Sequence, residues 1–236
     1  MPEKLLVPSI EQRLAGMVEV ARRMKGKTET EKRTGHKPTI TISREFGCEG
    51  YPVAERLKEI LELSTKEPWV VMDKALLEEA AKHHDISEEV FRSLGHRPRF
   101  LDDMISTLTP RWKSERDHYK LLCSQIVSLA EVGNVIIMGR GSSIITQQMN
   151  NCLHFRIYAS HHFKVRSIAR RAKISVQDAE HLVEKRQKER DKFIRSFLDR
   201  DITDLNLYHL AFNNDKNSPA QIAQTIADYL CQKTAD

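Results

Sequence analysis

Short aliphatic or β-branched runs alternate with longer stretches of helical spacing along most of this chain. Thr39-Ile40-Thr41-Ile42 is the first such run and predicts a strand over 39–43. Pro52 then opens an amphipathic helix over 52–63, with Val53, Ala54, Leu57, Ile60 and Leu61 forming its apolar face. Trp69-Val70-Val71-Met72 predicts a second strand, and Asp73 caps a helix over 74–84. Another helical piece begins at Ser87, and residues 95–118 are polar and aromatic, with Pro98 and Pro110. Helix 115–132 carries Leu121, Leu122, Ile126, Val127 and Leu129 as its buried stripe; Gly133-Asn134 closes it. Strand Val135–Met138 and a helix over 142–149 follow, then a fourth strand, His154–Tyr158. A long basic helical region spans 161–197, and Leu207–Phe212 is a fifth apolar run. Ser218-Pro219 opens a last helix through Leu230, with Ile222, Ile226 and Tyr229 turned inward.

Strands that alternate with helices predict a parallel sheet covered on both faces, joined by right-handed crossovers. Ligands in such sheets sit at the carboxyl ends of the strands. Two glycine-bearing segments fall at such ends, 43–50 and 139–141. Ahead of this core, Ile10, Leu14, Met17, Val18 and Ala21 predict a helix over 9–24, and the polar run KGKTETEKRTGHK reads as a solvated linker. The expected division is therefore an appendage, 1–37, and a domain, 38–236.

Composition narrows the ligand more than the fold. The chain has 236 residues, with 38 Lys and Arg against 33 acids, for a net charge of +5. That modest excess suits an anionic ligand such as a nucleotide; it also suits weak nonspecific contact with nucleic acid, for which no recognised motif is present. No apolar run is long enough to span a bilayer, and the N-terminus lacks the apolar core of a secretory signal. Cys48, Cys123, Cys152 and Cys231 lie far apart, without a CxxC pair, so reduced thiols in a cytoplasmic protein are expected. His83-His84 and His161-His162 are adjacent pairs that diverge on a helix, so no metal ligands are assigned.

Three segments can carry chemistry. Ser43-Arg44-Glu45-Phe46-Gly47-Cys48-Glu49-Gly50 joins a strand to a helix, where backbone N–H groups and the helix dipole favour an anion. Relative to G-x-x-x-x-G-K-[ST], Gly50 occupies the lysine position, and Arg44 is the only basic side chain in the loop. An ordinary strand–helix turn needs glycine as well. VIIMGRGSSII puts Arg140 directly after a buried strand, where its planar fork can hold a phosphate or pair with a carboxylate. Lys164, Arg166, Arg170, Arg171, Lys173, Lys185, Arg186, Arg190, Arg195 and Arg200 give 164–200 a dense positive charge, with Arg166 and Arg170 on one helix face. Such a region can neutralise a transferring phosphoryl group, or it can be a solvated helix pair, since Glu180, Glu184, Glu189 and Asp191 interleave.

Taken in order, these segments resemble the cytidylate kinase-like proteins, a branch of the nucleoside monophosphate kinases with an altered phosphate loop. TISREFGCEGYPVAERL, VVMDKALLEEAAKHHDISEEV, VIIMGRGSSII, LHFRIYASHHFKVRSIARRAKIS and LYHLAFNNDKNSPAQIAQTIADYL carry the resemblance, over about 38–231. It implies a three-layer α/β/α P-loop kinase fold with a parallel five-stranded sheet and a short basic helical lid. It also implies transfer of the ATP γ-phosphoryl, with Mg2+, to a nucleoside monophosphate, CMP or dCMP. By the same resemblance Ser43, Arg44, Gly47, Cys48, Glu49, Gly50 and Arg190 would hold the donor, and Arg140 the acceptor phosphate. Arg166 and Arg170 would neutralise the transferring group. The alternative is a nucleotide sensor or scaffold that keeps the fold without turnover, an outcome favoured by Glu49 where the family has glycine.

Overall fold

The computed structural model describes residues 37–75, 77 and 115–235. The appendage 1–36 and most of 76–114, including the helices expected beyond residue 77, lie outside the described residues.

Five parallel strands form one sheet, in the order β2-β3-β1-β4-β5. They are β1 (Thr39–Arg44), β2 (Val70–Met72), β3 (Val135–Met138), β4 (Cys152–Tyr158) and β5 (Leu210–Asn213). β1 lies at the centre, with Thr41 opposite Ile137 on one side and His154 on the other. Its C-terminal end, and the loop that follows, are therefore flanked by strands on both sides.

The pleat sorts side chains to two faces. Ile40, Ile42, Ile136, Met138, Leu153, Phe155 and Ile157 pack against Val53, Ala54, Leu57 and Leu61 of α1 (Gly50–Thr65) and Ile222, Ile226 and Leu230 of α6 (Pro219–Ala235). On the opposite face Val135 and Ile137 meet Leu122 and Ile126 of α2 (Glu115–Val132) and the end of α5 (Val176–Leu198) through Phe193 and Phe197. Helix layers on both faces give the three-layer α/β/α arrangement.

The second face is partly polar. Thr41 and His154 are buried there, and the Thr41 hydroxyl lies 2.8 Å from His154 Nδ1. Burial, and then the nearby His209, lower the His154 pKa to about 4, so this imidazole is neutral in the core.

Element boundaries refine the sequence reading at several places. α1 begins at Gly50, two residues before Pro52, because Glu49 acts as N-cap through its backbone: its carbonyl accepts the Val53 N–H. α3 (Ser142–Ile145) is a single turn rather than a helix to 149. The basic region is two helices, α4 (His161–Ala172) and α5, because Lys173 adopts a left-handed conformation and Ser175 caps the next helix through the Asp178 N–H. The fifth strand starts at Leu210, since Leu205–Leu207 form a short 3-10 turn. Asp73 accepts the Ala75 N–H, as its capping role requires.

Candidate functional site

The segment Glu45–Glu49 leaves the carboxyl end of β1 and turns into α1. Gly47 sits at φ +98°, and an added Cβ would lie 2.6 Å from Lys164 Cβ. Only glycine permits both that backbone and the close approach of α4. Gly50 has ordinary helical geometry; its constraint is steric, with Arg44 Cγ 3.0 Å from where a Cβ would stand.

Most amides of this loop already have protein partners. Glu45 N–H donates to the Ile157 carbonyl, Phe46 N–H to Gln187 Oε1, Cys48 N–H to the Glu45 carbonyl and Glu49 N–H to Asn214 Oδ1. A backbone cradle for phosphate is thus limited, and charge must come from side chains.

Cationic side chains converge from three directions. Arg44 runs from β1 past Gly50 to Gly139, where any Cβ would overlap its guanidinium. Arg140, in the turn after β3, stacks on Phe193 of α5 with its guanidinium carbon 4.6 Å from the ring centroid. Tyr119 Oη donates to the Arg140 carbonyl at 3.3 Å and packs edge-on to Phe193. Burial, then the charge of Arg44, lower the Arg140 pKa to about 10, still cationic at neutral pH. Arg44 and Arg140 are therefore neighbours at the carboxyl ends of β1 and β3.

The helix pair α4–α5 is docked on the loop. Phe46 is buried within the pair, against Val165, Ile168, Ala172, Ala179 and Val183. Arg190 Nη1 donates to the Arg44 carbonyl, and its guanidinium lies over the Phe46 ring, 5.2 Å from the centroid. Arg171 Nη2 donates to the Gly47 carbonyl at 2.9 Å. Arg170 Nη2 donates to Glu49 Oε1 at 3.1 Å. Arg166 is exposed on the same helix, and its side chain has no ion pair among the described residues.

The proposed donor-side residues thus fall into distinct surroundings. Ser43 is buried, its hydroxyl 3.4 Å from Arg156 Nη1. Cys48 is buried, and burial with the neighbouring Glu45 carboxylate pushes its thiol up to about 12, so it is neutral and unreactive. Arg44, Gly47, Glu49, Gly50, Arg170 and Arg190 all meet at the loop. Arg140 is beside Arg44 rather than beside Arg170.

Sequence reasoning missed one group, Arg156, Glu45 and Lys164. Arg156 extends from β4 with its side chain 5% exposed, donating to the Ile202 carbonyl and Glu45 Oε1. Lys164 Nζ donates to Glu45 Oε2 at 2.7 Å. The available signal was an arginine inside the apolar strand LHFRIY, since charged residues are rarely buried without a partner.

Among the described residues no group of three or more His, Cys, Asp or Glu side chains could hold a metal ion. No described helix is long and apolar enough to cross a membrane.

The model of the cytidylate kinase-like family matches residues 39–216. A cytidylate kinase of Thermoplasma acidophilum is 32% identical over 97 residues, 40% of this chain and 51% of that protein, so the match spans about half the relative's length. Among solved structures, an uncharacterized protein from Eubacterium ventriosum superposes with TM-score 0.62 at 20% identity, over 83% of this chain and 99% of that one. A shikimate kinase from Acinetobacter baumannii is a looser likeness, with TM-score 0.46 at 12% identity over 92% of this chain and 99% of that one.

Proposed function

Because this chain belongs to the cytidylate kinase-like family, we propose that it transfers the γ-phosphoryl of ATP to a pyrimidine nucleoside monophosphate, CMP or dCMP. The observation that carries this reading is the placement of two basic groups around one strand end. Arg44, Arg170, Arg171 and Arg190 gather at the loop after β1, and Arg140 lies across Arg44 at the end of β3. In-line phosphoryl transfer needs a donor and an acceptor phosphate held side by side, with charge neutralised between them.

In this reading the loop and the α4–α5 arginines bind the donor phosphates. Arg140 holds the acceptor phosphate, its orientation fixed by Phe193 and Tyr119. Arg170 supplies charge to the transferring group once released from Glu49, and Arg166 follows on the same face. Mg2+ bound to the nucleotide would neutralise phosphate charge; such an ion is commonly held through substrate phosphates and one or two carboxylates rather than by an all-protein cage. A cytoplasmic location belongs to the same reading, supported by the four free cysteines.

A second reading, a nucleotide sensor or scaffold with little turnover, is favoured by Glu49. Its carboxylate occupies Arg170, the arginine the enzyme would need. A screen of ribo- and deoxynucleoside monophosphates with ATP and Mg2+, read by formation of the diphosphate, separates the two. Product from CMP or dCMP is expected; ATP binding without product from any acceptor supports the sensor.

A further inference from the structure

Gly50 leaves this loop without the lysine that ordinarily reaches the donor phosphates in a strand–loop–helix site. The loop's amides do not make up the difference, because those of Glu45, Phe46, Cys48 and Glu49 are bonded within the protein. An amine from elsewhere lies against the loop. Lys164, in the first turn of α4, presses its backbone and Cβ onto Gly47, and its Nζ is held by Glu45 at 2.7 Å.

The charge of that cluster does not balance. Glu45 offers one carboxylate, and two cations share it: Lys164 on Oε2 and Arg156 on Oε1. The Arg156, Glu45 and Lys164 side chains are only 5%, 19% and 14% exposed. Cys48, which feels both Lys164 and Arg190, stays a neutral thiol and adds no negative charge. Asp201 feels Arg156, but it lies at the surface. A largely buried group with one net positive charge is costly unless an anion completes it.

We propose that Lys164 is the phosphate-binding amine of this site, delivered from helix α4 in place of a loop lysine, and that Glu45, shared with Arg156, holds it at the loop until phosphate displaces the carboxylate. Identifying the anion as the donor nucleotide rests on the kinase reading; the anion site itself does not. Glu45 keeps the amine at the loop while no phosphate is present, and Arg156 prevents the carboxylate from neutralising it fully. Arg171 and Arg190 also donate to the Gly47 and Arg44 carbonyls, which holds the helices on the loop.

The test measures binding of inorganic tripolyphosphate, ATP and CMP by calorimetry to the wild-type protein, Lys164→Met and Glu45→Gln, with thermal unfolding as a check on folding. Lys164→Met is expected to weaken tripolyphosphate and ATP by roughly ten- to a hundredfold, the size of a charge-assisted contact, with CMP binding unchanged. Glu45→Gln, which removes the competing acceptor, should bind tripolyphosphate at least as tightly as wild type. Lys164→Met that folds and keeps its tripolyphosphate affinity overturns the proposal, as does a weaker affinity in Glu45→Gln, which decides the matter even if Lys164→Met does not fold. Wild-type protein that binds tripolyphosphate through Lys164 but not ATP supports the anion site and sinks the kinase reading. Binding of neither anion by the wild type overturns both.

Discussion

Arg170 of α4 donates to the Glu49 carboxylate at 3.1 Å, joining the helix to the loop at the start of α1. The arginine side chain is 74% exposed and the carboxylate 17%, so the pair contributes at most about 1 kcal/mol to stability. In the proposed reading its larger effect is on binding, because the carboxylate would compete with phosphate for the same guanidinium. Glu49→Gln should tighten ATP by up to about fivefold while leaving the unfolding midpoint nearly unchanged. Titration of ATP into both proteins checks this; weaker binding by the variant would mean that Glu49 assists the nucleotide, for instance through Mg2+.

Phe46 ties the α4–α5 pair to the loop by burial. It is buried among Val165, Ile168, Ala172, Ala179 and Val183. Phe46→Ala should cost about 3–5 kcal/mol by urea denaturation, the range for truncating a buried aromatic. Amide exchange should accelerate in α4 and α5 before it does in β1 or β3. Unchanged protection of those helices would show that they dock by other means.

Arg140 is the acceptor-side test. Arg140→Ala should weaken CMP by roughly ten- to a hundredfold and ATP much less, because only the acceptor phosphate is assigned to it. Equal loss of both ligands would place Arg140 on the donor or make its role structural, through Phe193 and Tyr119.

His154 gives a pH signature. Its pKa in the folded protein is about 4, below the ordinary histidine value near 6.5, so the unfolded chain binds the extra proton first as pH falls. Its contribution is fully present above about pH 6.5 and is lost progressively towards pH 4, amounting to about 3 kcal/mol at most. Urea midpoints measured across that range should fall with acidification, and His154→Gln should flatten the slope. An equally steep decline in the variant would assign the acid sensitivity to other groups.

The sheet was legible in the sequence because its central strands are unbroken apolar or β-branched runs. Ile40 and Ile42, and Val135–Met138, could hardly be anything but buried strands once glycine-bearing turns followed them. A helix pair was weighed for the basic region, but the position of its break was not legible, since Lys173 adopts a left-handed backbone that its side chain does not announce. The loop residues were found as a group, yet their partners were not. Gln187, Arg190 and Asn214 lie more than 140 residues from the loop atoms they bind, and no local spacing encodes such contacts. Arg190 was one of the cations of the basic region, and only the family resemblance gave it a donor-binding role. Glu45 carried no assigned role in the sequence; only the fold shows that it stands between Arg156 and Lys164.

In the proposed reaction two phosphates meet at the end of β1, one held by the loop and α4, the other by Arg140. The most direct measurement follows radiolabelled γ-phosphate from ATP in the presence of CMP and Mg2+, with wild-type protein and Arg140→Ala side by side. Label appearing in CDP with the wild type, and falling at least roughly tenfold in the variant, is the expected result. Label that stays in ATP with the wild type, at protein and CMP concentrations where both ligands are bound, would contradict it.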